Sequence, residues 1–296
     1  MASMADWPRV GLALGGGGAR GLAHIGVLKV LEAEGIPVDL LAGTSMGGLI
    51  ACLYASGLTA AELEEEALCM TSRRMLFPLT DASLLRRGLF KGQHVVDYLE
   101  ERLGCCTFDD LQTPAAVVAV DLYRHSEVVL SSGPVATAVR ATIAVPGVFT
   151  PVETEGQLLV DGGVLNNVPA DVARRMGADV LIAVNVHGAI GGGSFPQYGQ
   201  GILLPAPIRE TLGILYESLQ IMIEEIARQK LREAAPEVLL TPDIPPDITP
   251  LRGFSHAREV IAAGEVAARS ALGQIRDAVS TIAQEERRRG QASIAP

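Results

Sequence analysis

The sequence predicts a three-layer α/β/α fold, with a mixed, mostly parallel central sheet and helices on both faces. Three observations carry that reading. Short apolar runs of strand length alternate with amphipathic segments of helical period, the order expected of parallel strands joined by crossover helices. The run "DVLIAVNV", Asp179 to Val186, is apolar almost throughout, which suits a strand buried on both faces. Glycine-rich turns stand where strand pattern gives way to helix pattern.

The elements follow in order. "RVGLAL" (Arg9 to Leu14) reads as a strand, then a glycine loop, then "LAHIGVLKVLEAEG" as a helix ending at Gly35. Val38 to Ala42 is a second strand, and Leu49, Leu53 and Tyr54 recur at helical spacing after it. Thr59 to Leu111 is mostly helical in pattern, with a loop near Pro78 to Gly88. "AAVVAVDL" and "SEVVLSSG" read as strands, followed by a short helix from Pro134 towards Ala144. "QLLVDGG" is a strand ending in Asp161, and a helix near Ala170 to Met176 leads into the "DVLIAVNV" strand. Residues 188–208 are rich in Gly and Pro and should form a loop. Phe195, Tyr198, Ile202, Leu203 and Leu204 within it make it a candidate lid or lipid-contacting loop. A helix with Leu212, Leu215, Leu219, Ile223 and Ile226 on one stripe comes next, then the strand "EVLLTPDI" and a final helix opening at Ser255. The expectation is one domain over residues 8–284, with 285–296 as a flexible tail.

Composition narrows the function. At 296 residues, 48% hydrophobic and 20% charged, the chain is globular in character. Mean hydropathy is high at +0.29, yet no apolar run approaches the roughly 18 residues of a membrane span. The opening "MASMADWPRVGLAL" has no basic segment before its apolar run and is not read as a secretory signal. The four cysteines, Cys52, Cys69, Cys105 and Cys106, show neither metal spacing nor a disulfide framework, so a reducing, cytoplasmic setting is expected. A net charge of -10 argues against nucleic acid and gives no general attraction to anionic membranes.

Two motifs carry chemistry. In "AGTSMGG", Ser45 stands between Gly43 and Gly47 at the change from strand to helix. A sharp turn there would strain the serine backbone and expose its oxygen beside a helix N-terminus, although a glycine turn with a capping serine would have the same sequence. In "LALGGGGARGLAHIG", Gly16 to Gly21 satisfies a dinucleotide fingerprint, but the next strand ends in Gly43-Thr44-Ser45 instead of an acid. Asp39 lies at the wrong end of it. An oxyanion hole fits better: the N–H groups around Gly16, Gly17 and Gly18 can point one way, close to Ser45 on the neighbouring strand. Arg20 is read as an anchor of this loop or a contact for an anionic head group.

The residues alone offer two candidates for the general base, Asp161 and His187. Asp161, followed by Gly162 and Gly163, ends a strand, so it is expected at the C-terminal edge of the sheet. A plain Asp-Gly turn reads the same way. His24 shares a helical face with Leu28 and Leu31 and reads as packed. His187, at a strand end, is the one histidine placed to complete a Ser-Asp-His set.

Together "GGGGARGLAHIGVLKVLE", "AGTSMGGLIACLYASG", "ATIAVPGVFTPV", "LVDGGVLNNVPADVARRMGADVLIAVNV" and "FSHAREVIAAGEVAA" resemble the bacterial patatin-like phospholipases. The resemblance covers most of the chain from Val10 to about Val186. It implies a Ser-Asp dyad without histidine, Ser45 as nucleophile and Asp161 as base, and an oxyanion hole around Gly16, Gly17 and Gly18. It also implies hydrolysis of lipid acyl esters through an acyl-enzyme, with no metal or organic cofactor and at most transient contact with a membrane surface. Thr142 replaces a serine common in the family, and "YRHSE" replaces a Thr-Gly turn; neither is expected to touch the chemistry. Two other readings stand beside this one: an esterase or acyltransferase that never meets a bilayer, and a non-catalytic lipid-binding protein.

Overall fold

A computed structural model of the chain describes residues 7–72, 90–104, 106–187, 206–250 and 253–292. The first half runs β1 (Val10–Leu14), α1 (Ala23–Ala33), β2 (Leu40–Thr44), α2 (Met46–Ala55), α3 (Ala60–Ser72) and α4 (Gln93–Leu103). It continues through β3 (Ala115–Asp121), β4 (Ser126–Leu130), α5 (Val135–Thr142), β5 (Val152–Thr154) and β6 (Gln157–Asp161). The last part is α6 (Ala170–Arg175), β7 (Val180–Val184), α7 (Ala206–Ala234), β8 (Val238–Leu240), α8 (Ala257–Ser270) and α9 (Leu272–Ala292).

The sheet has the path β5-β6-β3-β2-β1-β7-β8, with β4 also on β3. Pairings among β3, β2, β1, β7 and β8 are parallel, and those involving β4, β5 and β6 are antiparallel. Every residue of β1, β2, β3 and β7 is buried, which is why those runs show no polar alternation. Alternate residues feed two cores. Leu12, Leu14, Leu41, Val117 and Ile182 pack with α1, α2, α5 and α8 on one face. Ala13, Leu40, Val118 and Leu181 pack with Val172 of α6 and Leu231 of α7 on the other. Two helical layers around one sheet are therefore observed, as the periodicity predicts.

The registers impose one arrangement that the order of strands does not reveal. β4 pairs with Val117 through Asp121 of β3, while β2 pairs with Ala115 through Val118 and β6 with Ala119 through Asp121. A strand has two edges, so β2 and β6 must share the edge opposite β4. They run towards each other and meet end to end, Thr44 opposite Val118 and Asp161 opposite Ala119. Asp161 thus reaches the site from an antiparallel strand. It lies just past the C-terminal end of β2, and only the direction of its strand is absent from the sequence pattern.

Other expectations need adjusting. The short strand β5 was not foreseen, and the single helix expected from Ser255 is two, α8 and α9, broken at Ala271. The helix α9 continues to Ala292, into the segment expected as a tail. Within the expected 188–208 loop, residues 188–205 lie outside the described residues, and Ala206 onwards belongs to α7. The loop expected near Pro78 to Gly88 also lies outside them.

Candidate active site

Ser45 is the single residue between β2 and α2, with φ 54° and ψ -124°. A non-glycine residue seldom holds such a positive φ, and strain of this kind persists only where surrounding packing enforces it. That packing is visible. A Cβ on Gly47 would lie 2.2 Å from the Leu14 carbonyl oxygen, and one on Gly43 would lie 2.5 Å from Gly48 Cα. Both flanking glycines are needed for α2 to fold back so closely onto β1 and β2. Ser45 is 7% exposed.

Where the β2 and β6 ladders break, Thr142 of α5 fills the gap. Its hydroxyl accepts Ser45 N–H at 2.9 Å and donates to the Val118 carbonyl. The expectation that Thr142 lies apart from the chemistry is corrected here. Its Oγ1 stands in for the missing strand-to-strand bond and fixes the backbone of Ser45.

Asp161 is 6% exposed. Its carboxylate lies close enough to the Ser45 side chain for the hydroxyl to favour its charged form, and its Oδ1 accepts Gly163 N–H at 2.7 Å. Burial pushes its pKa up to about 6 from the usual 3.8, against the downward pull of the Ser45 hydroxyl and the Gly163 amide. Beyond Asp161 the chain must leave the path of β2. A Cβ on Gly162 would meet the Val118 carbonyl oxygen at 2.3 Å, so only glycine passes there.

The glycine loop lies against Ser45: a Cβ on Gly16 would stand 3.1 Å from Ser45 Cβ. Gly15 N–H donates to Val184 O at 3.0 Å, and Gly16 N–H donates to Asn167 O at 2.9 Å. The Gly16 amide is therefore occupied, while Gly17 N–H and Gly18 N–H meet no acceptor among the described residues. Gly18 has φ 54° and opens a 3₁₀ turn, Gly18–Leu22, that precedes α1. Arg20 ties the loop down, its Nε donating to Ile248 O at 2.8 Å and its Nη1 to His187 O at 3.4 Å.

The ring of His24 is fully buried, and its Nε2–H donates to Gly15 O at 2.7 Å. Burial lowers its pKa to about 4, so it is neutral at pH 7. The packed histidine of the sequence thus also holds the glycine loop. His187 is lowered to about 4 by burial and by the charge of Arg20. Among the described residues no histidine ring hydrogen-bonds Ser45 or Asp161; His94, His125 and His256 are exposed. Asp39 sits at the far end of β1, accepting Val10 N–H at 2.7 Å, as the argument against a dinucleotide site requires.

Sequence reasoning passed over two neighbours of the site. Asn167 holds Gly16 through both backbone and side chain, and a pair of asparagines after the Asp-Gly-Gly run was its only signal. Tyr216 of α7 lies close enough to feel the charges of Arg20 and Asp161, and burial raises its hydroxyl to about 12. Among the described residues no group of three or more His, Cys, Asp or Glu is placed to hold a metal ion, and no helix is long and apolar enough to cross a membrane.

Known proteins share this sequence pattern. An uncharacterized NTE family protein of Mycobacterium tuberculosis is 38% identical over 185 residues, which cover 62% of this chain and 51% of that protein. Patatin-like phospholipase domain-containing protein 6 of Homo sapiens is 39% identical over 183 residues, covering 60% of this chain and 13% of that protein. The chain spans about half the length of the mycobacterial relative and a far smaller share of the animal one. Among solved structures, VipD from Legionella pneumophila superposes with a TM-score of 0.48 at 12% identity, over 91% of this chain and 67% of that one. The type III effector protein ExoU gives 0.42 at 15% identity, over 92% and 53%. The sequence model described as patatin-like phospholipase matches residues 12–174, from within β1 to within α6. That match takes in more than half of the 296 residues together with Ser45 and Asp161, and the chain belongs to the patatin-like phospholipase family.

Proposed function

We propose that this chain is a serine acyl hydrolase that cleaves fatty acyl esters of lipids, with residues 8–284 as one catalytic unit. The observation that carries the reading is the pairing of Ser45 with a buried carboxylate, Asp161, at a strained turn beside glycine amides that meet no acceptor among the described residues.

Ser45 Oγ attacks the ester carbonyl while Asp161 takes its proton. A carboxylate near pKa 3.8 is a poor base at pH 7, and burial moves Asp161 to about 6, nearer the value at which general bases work best. The tetrahedral oxyanion is held by Gly17 N–H and Gly18 N–H, with Gly16 bringing them beside Ser45. Asp161 returns the proton to the leaving alcohol, and the acyl group stays on Ser45. Asp161 then takes a proton from a water that attacks the acyl carbonyl, and passes it to Ser45 Oγ as the ester bond breaks and the fatty acid leaves. None of these steps calls on a histidine.

Lipid as the substrate class follows from the family, and α7 supports transient contact with a lipid surface. Its Ile214, Leu215, Ile221 and Met222 are large, apolar and exposed, and seven-residue spacing puts them on one side of the helix. Tyr216 of the same helix lies near Asp161. The reading is tested with a fluorophosphonate probe and a lipid panel. Labelling at Ser45, abolished in Ser45→Ala, with release of fatty acid from phospholipid or lysophospholipid micelles is expected. Absence of labelling would remove the nucleophile. Hydrolysis of short nitrophenyl esters alone would favour an esterase that does not act on aggregated lipid.

A further inference from the structure

Asn167 closes on Gly16 from both of its peptide groups. Its carbonyl accepts Gly16 N–H at 2.9 Å, and its Nδ2 donates to Gly16 O at 3.3 Å. The side chain is 5% exposed, and its Oδ1 lies 2.6 Å from where a Cβ on Gly16 would stand. The peptide before Gly16 has a second hold, because Gly15 O accepts His24 Nε2–H. The peptide after it, Gly16 to Gly17, is held by the Asn167 amide alone among the described residues.

In a trans peptide the C=O and N–H point in opposite directions. Holding Gly16 O towards Asn167 therefore turns Gly17 N–H away from it. Glycine peptides have the widest choice of orientation, so a loop of four consecutive glycines needs such a hold to keep one donor direction. We propose that Asn167 is a positioning residue that aims Gly17 N–H at the oxyanion formed on Ser45. This rests on Ser45 being the nucleophile. The same turn that delivers Asp161 then also sets the donor, since the Asn167 Oδ1 lies 3.0 Å from where a Cβ on Gly163 would stand. Base and oxyanion donor are referenced to one seven-residue segment, Asp161 to Asn167.

Asn167→Leu removes the donor at similar volume without adding charge. Activity is measured on a short nitrophenyl ester, with sites counted by fluorophosphonate titration. A trifluoromethyl ketone, which becomes tetrahedral and anionic on the serine, is titrated alongside. The variant should lose about 10–100-fold in kcat per titrated site, with KM within about twofold, and should bind the ketone more weakly by a similar factor. A purely structural role would lower the number of titratable sites or the melting temperature and leave kcat per site alone. Unchanged kcat per site, or a fall in kcat with wild-type affinity for the ketone, overturns the proposal. If Asn167→Leu does not fold, Asn167→Ser, whose shorter side chain cannot span to Gly16 O, is judged by the same two ratios. Activity surviving in Ser45→Ala would overturn the nucleophile and this proposal together, whereas Ser45-dependent activity with normal Asn167 variants would overturn this proposal alone.

Discussion

Thr44, the residue before Ser45, and Asp161 stand one rung apart on the same edge of β3, at the meeting ends of two strands that run towards each other. Thr44 is level with Val118 and Asp161 with Ala119. Neither strand can continue, so each chain turns out of the sheet at its chemical residue. The left-handed backbone of Ser45 and the glycine after Asp161 are two consequences of one collision.

The strain at Ser45 can be separated from its chemistry. Ser45→Ala and Ser45→Gly should both lose ester hydrolysis, since both lack the hydroxyl. Only glycine accepts φ 54° with ψ -124° comfortably, so the glycine variant should be the more stable by about 1 kcal/mol. Chemical denaturation of the pair measures the difference; equal stability would mean that the turn carries no strain.

Asp161→Asn should lower kcat by about 10²–10⁴-fold, because an amide cannot take the serine proton. The same change should stabilise the fold at neutral pH. The folded carboxyl holds its proton up to about pH 6, the unfolded one only to about 3.8. Its contribution is therefore fully present below about pH 4 and is lost as pH rises through 6. Above that the ionised group costs about 3 kcal/mol at 1.36 kcal/mol per unit. Calorimetry should show the variant melting higher than wild type at pH 7.5, with the two converging towards pH 4. Activity of the wild type should fall with a single limb near pH 6 on acidification.

His187→Ala should turn over at near the wild-type rate. Its ring makes no hydrogen bond to either member of the pair among the described residues, and burial keeps it neutral to about pH 4. Loss of several orders of magnitude in a folded variant would restore a Ser-Asp-His arrangement. His24 differs from the others, because its ring holds Gly15.

Thr142→Val should cost both stability and rate. It strands Ser45 N–H and Val118 C=O without their shared partner, a loss of about 1–3 kcal/mol for buried groups. Thr142→Ser keeps the hydroxyl and should keep most of the activity. If valine and serine variants behaved alike in denaturation and turnover, the bridging role of the hydroxyl would fall.

Much of the fold was legible because the parallel strands are buried on both faces and announce themselves as unbroken apolar runs. Ser45 was legible for a related reason, since the change of period from β2 to α2 leaves one residue for the turn. What escaped depends on contacts between distant residues. The direction of β6 is set by its partner β3 and leaves no mark in "QLLVDGG" itself. Thr142 and Asn167 lie 97 and 151 positions from the residues they hold, so spacing cannot report them. The break at Ala271 has neither proline nor glycine at that position to signal it.

The placement of Thr142 also bears on how the molecule comes apart. Its hydroxyl links the amide of Ser45 to β3, which is wholly buried and carries strands on both edges. The Ser45 amide should consequently exchange with deuterium as slowly as those of β2 and β3, through whole-sheet opening and not local fraying. Heat should then abolish turnover and sheet structure in one cooperative step, leaving no folded but silent intermediate on the way.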